Sequence, residues 1–152
     1  IPIIASGQYH FNKESISRQI LNLTDKISKA ERFDSKYVYY EAKTTEQYKR
    51  FEKLTELATI DELKELMNHK SPYVRVYSFW ALGKKYYNNI DSIILSHKDD
   101  NAIIETQSGC IGYQDNVVHL LIEIATPNYW DLECAKLTKG QLEDLYLKIY
   151  NK

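Results

Sequence analysis

His69 to Tyr87 reads HKSPYVRVYSFWALGKKYY. Ser71 is a good helix N-cap, and Pro72 falls at the first helical position, where its missing N–H costs nothing. On a helical wheel Val74, Tyr77 and Ala81 make one stripe, and Val76, Trp80 and Gly83 make another. Phe79 and Leu82 fill part of the remaining arc. A helix that is apolar nearly all round is buried nearly all round, so this one needs partners on at least two sides. Lys84 and Lys85 suit the negative end of the helix, and Asn88-Asn89 is expected to stop it.

Those partners are sought on either side. Upstream, Ile16, Ile20, Leu23 and Ile27 form a helical stripe across residues 12–30, with Asn12 as cap and Phe11 and Ile16 as a hydrophobic staple. The tyrosine-rich RFDSKYVYYEAK has no such stripe and reads as an extended or irregular connector. Thr44-x-x-Gln47 and Thr59-x-x-Glu62 have the form of capping boxes. The first opens a helix burying Tyr48, Phe51, Leu54 and Leu57 or Ala58. The second opens a short helix with Ile60, Leu63, Leu66 and Met67 inward. Downstream, Val117, Leu120, Leu121, Ile124 and Ala125 mark a short buried helix, and TPNYWDLECAK marks a loop. Thr138-x-x-Gln141 caps a last helix that uses Leu142, Leu145 and Ile149.

Between these elements lies an internal echo. NIDSIILSHKDDNAIIETQSGC, moved back by about 28 residues, places His97-Lys98 on His69-Lys70, Ile94-Leu95 on Leu66-Met67, and Ile104 on Val76. A period near 30 residues built of helix pairs is a solenoid signature. LKELMNHKSPYVRVYSFWALGKKY resembles a short HEAT-type repeat. The marks are Leu63 and Leu66 on the first helix, Pro72 in the turn, Val74-Arg75 opening the second helix, and Ala81-Leu82-Gly83 near its end. The wider chain, from EQYKRFEKL to QSGCIGYQDNVV, resembles a group of uncharacterised bacterial HEAT-like proteins, a resemblance that brings no activity with it. It implies one all-α domain over residues 1–152: about six helices in a right-handed α-α superhelical stack, with an irregular insertion near 105–116, where Gly109 and Gly112 break the second unit.

Composition narrows the function classes. At 152 residues the chain can bury a core without disulfides or metal. A net charge of −1, and charged stretches such as KAERFDSK and YKRFEKLTE that mix both signs, argue against nucleic acid as a partner. The longest apolar run, VVHLLIEIA, is too short to span a bilayer. The opening IPIIASGQ lacks the basic start of a signal peptide; read instead as the new terminus left by cleavage of one, it leans toward export. Thirteen tyrosines fit either a tyrosine-rich binding face or a compositional bias.

Candidate chemistry is sparse. Cys110 in a glycine-flanked turn and His119 nine residues on are the residue types of a nucleophile and its base, with Asp115 or Glu105 as orienter, but nothing in the spacing enforces their approach. Cys110 and Cys134 would be able to pair in an exported chain; two free thiols are the simpler expectation. His97, Asp99 and Asp100 read as a solvated, capped turn rather than a metal site, and neither metal nor cofactor is expected. Arg75, one turn into an apolar helix, is expected to pair with Asp99 or Asp100, or else to face a ligand's carboxylate or phosphate. Trp130 reads as a lid over the core, or with Tyr129 as a stacking surface for a sugar or peptide. Arg75, Tyr129 and Trp130 are thus the candidate binding residues. The expected function is recognition of a protein or peptide, without catalysis; the competing class is a thiol enzyme using Cys110 and His119.

Overall fold

The computed structural model describes residues 9–151. The opening IPIIASGQ, on which the lean toward export rests, lies outside the described residues. Seven helices and three strands run in the order α1 (Arg18–Ala30), β1 (Phe33–Val38), α2 (Glu46–Leu57), α3 (Ile60–Leu66), α4 (Pro72–Lys84), α5 (Ile90–Ser96), β2 (Ile103–Gly109), β3 (Ile111–Asn116), α6 (Val117–Ala125) and α7 (Lys139–Tyr150). The fold is mixed α/β, and this overturns the all-α superhelical stack.

The helix at the centre behaves as its sequence demands. Pro72 stands at the first position of α4, and every residue from Tyr73 to Gly83 is buried. Helices α1, α2, α3, α5 and α6, together with β2, surround it. Trp80 is stacked on Phe51 of α2 at 4.1 Å between ring centroids, and Tyr77 lies 4.6 Å from Phe33 of β1. The helix ends at Lys84 rather than at Asn88-Asn89, because Tyr86 turns left-handed at φ 53°.

The internal echo holds only through the turn. The turns after α3 and α5 each hold a buried histidine, His69 and His97, and His97 Nε2 lies 2.8 Å from the carbonyl of Met67, joining the two copies. Beyond Asp100 the second copy becomes a strand where the first becomes α4. Ile103, Ile104 and Thr106 are β-branched and favour an extended chain. Ser108 pairs with Ile111, leaving Gly109-Cys110 as a two-residue hairpin loop, with Gly109 at φ 56°. A glycine at the first loop position suits the tight turns that match strand twist. The insertion near 105–116 is therefore regular β-structure.

β2 is the middle strand: β3 pairs with it antiparallel and β1 parallel, with a register shift between Asp34 and Val38. The tyrosine-rich connector thus supplies an edge strand, with Phe33 and Val38 fully buried.

Local starts differ from expectation in two places. Asn12 caps a single 3-10 turn, Lys13–Ser15, and α1 begins only after Ser17. The cap of α2 is Thr45, not Thr44, and Gln47 instead reaches back to the carbonyls of Ile27 and Arg32. The boxes at Thr59–Glu62 and Thr138–Gln141 form as expected. No helix among the described residues is long and apolar enough to cross a membrane.

Candidate ligand-binding cleft

A cleft of about 480 Å³ opens where β1, α2, α4, the end of β2 and the loop between α6 and α7 meet. Its lining includes Tyr37 of β1, Tyr48 of α2, Trp80 and Lys84 of α4, and Trp130 to Glu133 of the loop. Tyr37, Tyr48, Trp80 and Trp130 give it aromatic walls, and serines and charged side chains make up about as much of the lining; clefts of this size are common ligand sites.

The loop is shaped from below. Lys136 Nζ donates to the carbonyls of Ile124 and Tyr129, at 2.6 and 2.7 Å, so one ammonium ties the end of α6 to the loop. The Ala135 amide donates to Gly83 O of α4, at 2.9 Å. Within this frame two residues adopt left-handed backbone, Asn128 at φ 59° and Trp130 at φ 58°. Asparagine tolerates that region; for tryptophan it is strained, and such strain concentrates at functional sites. It turns the indole inward, stacked on Phe33 at 5.4 Å and edge-on to Trp80 at 5.6 Å.

The two indoles differ in what their N–H groups meet. Trp80 Nε1 donates to Asp131 Oδ2 at 3.0 Å. Trp130 Nε1 is buried and finds no acceptor among the described residues. A buried donor without a partner costs about 1–3 kcal/mol, so native structures rarely keep one. Asp131 also takes Lys84 Nζ at 2.9 Å. Burial alone would raise its carboxyl, but hydrogen bonds from Lys84, the Glu133 amide and Trp80 hold it below its usual range. Tyr48 is pushed up to about 12 by burial, then by Glu52 and Asp131, and stays protonated at neutral pH. Lys36 and Lys84 face Asp131 and Glu133 around the cleft, so both signs are present.

The expected site residues part company. Trp130 lines the cleft, while Tyr129 is half-exposed and outside that lining. Arg75 is elsewhere, buried and paired with Asp100 at 2.7 and 2.9 Å, as the structural alternative required. Its remaining nitrogen donates to the carbonyls of His69 and Lys70, which occupies the face a ligand would need. Cys110 is exposed at the hairpin tip, while His119 pairs with Asp115 beyond the far end of β3, at 2.6 Å. The six residues of β3 run between them, and at about 3.3 Å per residue they hold the thiol and imidazole apart. Both cysteines are free, and burial raises the thiol of Cys134 to about 11.

Sequence reasoning missed the cleft because it placed Trp80 and Tyr48 in the core and gave Lys36 and Lys84 no partner. Both aromatics are indeed nearly covered, at 3% and 6% exposure. What sequence could not supply is that β1 and the α6–α7 loop stop short over them. Set against protein-family models, curated proteins and solved structures, the chain matches none.

Proposed function

We propose that the protein recognises a partner protein by a short extended segment seated in the aromatic cleft, with Trp130 as the recognising residue. The observation that carries this is the unsatisfied, buried indole N–H of Trp130 in a wall of aromatic rings. A small turn of the ring on docking would bring it onto a backbone carbonyl of an extended segment, the acceptor it needs, while an apolar side chain fills the space between Tyr37, Tyr48 and Trp80. Aromatic grooves use such segments because little ordering entropy is lost when they dock. The paired charges at the rim suit a zwitterionic chain rather than a polyanion.

Binding is favoured over catalysis by the lining itself. It holds neither histidine nor cysteine; Asp131 is engaged by three donors, and Tyr48 keeps its proton. The likeness to a HEAT-type unit stays with the α3–α4 pair, which in this reading is scaffold under the cleft.

Both tryptophans of the chain line the cleft, so intrinsic fluorescence reports its occupancy directly. The test is selection of displayed peptides on the wild-type protein, followed by fluorescence titration. Selected peptides should perturb the emission. Trp130→Phe, which keeps a ring and deletes the donor, should weaken them by about threefold to tenfold, the worth of one net hydrogen bond. Trp130→Ala should abolish measurable binding. Peptides that bind Trp130→Ala as tightly as wild type, or a selection that enriches none, would overturn the proposal.

A further inference from the structure

A second group of side chains lies away from the cleft, where β3 passes into α6. Asn116 caps α6 by accepting the amide of His119, at 2.9 Å. Asp115, one residue earlier, is still on the strand, paired with Ile104. His119 and Glu123 are four apart on α6 and so share one face of it. The cap turns the chain so that Asp115 falls beside that face. One nitrogen of His119 and one carboxylate oxygen each from Asp115 and Glu123 all lie within 4.8 Å of one another.

Two features of this group are costly as they stand. Two carboxylates share the site with one imidazole, and no lysine or arginine among the described residues forms an ion pair with either acid. Glu123 Oε2 is also buried without a hydrogen-bond partner among the described residues. Burial foremost, with Asp115 adding to it and His119 opposing, raises the Glu123 carboxyl above its usual range. Asp115 is largely covered, whereas the His119 side chain is 42% exposed, which leaves one side of the group open to water.

We propose that Asp115, His119 and Glu123 form a binding site for a first-row divalent transition metal ion, with zinc as the representative. A cation answers both features at once: it offsets the two carboxylates and gives the stranded oxygen a partner. The donor set chooses among cations. Imidazole suits zinc, copper, iron and nickel, while calcium and magnesium call for oxygen donors alone. Metal–ligand bonds of about 2.0–2.2 Å place neighbouring donors roughly 3–3.5 Å apart. Asp115 Oδ2 and His119 Nδ1, now hydrogen-bonded at 2.6 Å, would part by under about 1 Å, and wider donor pairs, all within 4.8 Å, would close by up to about 2 Å. The ion would tie the last residue but one of β3 to the first two turns of α6. With three protein donors on one side, the other positions are left to water or a ligand.

The test is equilibrium dialysis of the purified protein against zinc chloride near pH 7.5, with metal analysis and thermal unfolding in parallel. Wild type is expected to take up one zinc per chain and to melt higher with it. Glu123→Gln and His119→Asn should each lower the affinity by more than the roughly tenfold that loss of an outer partner of a metal site brings. Glu123→Gln should melt no lower than wild type without metal, since it removes a buried charge; this separates a lost ligand from a damaged fold. Cys110→Ser should bind zinc as wild type does, excluding the exposed thiol as its seat. Magnesium or calcium in excess should not displace it. Zinc uptake unchanged in both ligand variants, lost in Cys110→Ser, displaced by calcium, or absent from wild type would each overturn the assignment.

Discussion

The ion pair between Arg75 and Asp100 fastens the first turn of α4 to the turn that leads into β2, and its removal has a calculable cost. Both side chains are almost fully covered, at 5% and 3% exposure. The guanidinium donates twice to the carboxylate, at 2.7 and 2.9 Å, and once each to the carbonyls of His69 and Lys70. The ring of Tyr9 lies 5.1 Å from its central carbon, closing the site from the chain's beginning. Arg75→Ala leaves the Asp100 carboxylate buried with only marginal donors, the nearest backbone one being the Ala102 amide at 3.4 Å. Breaking one side of a buried pair costs about 3–5 kcal/mol. For a domain near this size each kcal/mol moves the midpoint by about 2–4 °C, so the melting temperature should fall by roughly 6–20 °C. Arg75→Lys keeps the charge but not the fork and should fall in between. The double variant Arg75→Met/Asp100→Leu removes both charges and should be much less unstable than the two single losses added together. Urea titrations of wild type, Arg75→Met, Asp100→Leu and the double variant give each free energy and the coupling between the sites. A melting temperature unchanged in Arg75→Ala, or strictly additive losses, would refute the buried pair as the bond between these turns.

Two further perturbations test the same corner and the support of the cleft. Burial chiefly, then Lys70 and Arg75, lower the pKa of His69 to about 4, and its Nδ1 accepts the Ser71 amide at 2.9 Å. The unfolded chain therefore binds a proton that the folded chain refuses, and stability should drop as pH falls from about 6.5 toward 4, by on the order of 2–3 kcal/mol. Asparagine accepts the same i+2 amide without titrating, so urea midpoints of His69→Asn between pH 7 and pH 4.5 should fall less than those of wild type; equal falls would contradict the assignment. At Gly83 an added Cβ would lie 2.3 Å from Cys134 Sγ. Gly83→Ala should cost about 1–3 kcal/mol by overpacking, and Cys134→Ala should recover much of that loss in the double variant; thermal unfolding that shows no recovery would mean the clash is not with the sulfur.

How far the sequence was legible depends on the range of the forces involved. Several local signals were sound, namely Pro72 at the start of α4, the boxes at Thr59 and Thr138, and the all-round apolar surface that buries α4. Each depends on contacts within a few residues or on water alone, and neither needs knowledge of the partner. That Arg75 would pair with an acid of the Asp99-Asp100 turn was also readable, because a charge on a buried helix must find its opposite and the internal echo brought that turn alongside; that the partner is Asp100 came only with the fold. The error began where the echo was carried past that turn. A repeat inferred from Ile94-Leu95 and His97-Lys98 says nothing about the residues after it, and there the local chemistry pointed to strands. Ile103, Ile104 and Thr106, then Gly109-Cys110, then Ile111 and Tyr113 form an alternating run, a two-residue turn and a second run. Reading Gly109 and Gly112 as damage to a helix treated glycine only as a helix breaker, when at φ 56° Gly109 is what a tight hairpin needs. The strand at Phe33–Val38 was harder, because its partner β2 lies some seventy residues on and pairs in parallel, so no turn announces it. The cleft inherits that difficulty. Its floor was visible as core, but the gap above it exists only because β1 and the tip of β2 end beside the strained loop at Trp130, a coincidence of three distant segments. A buried, unsatisfied indole N–H in the wall of that gap is a property of the assembled fold, and no spacing along the chain encodes it. The same holds in milder form for Asp115, His119 and Glu123: their four-residue intervals are plain in the sequence, but Asp115 joins the helical face only because Asn116 caps α6 and turns the strand onto it.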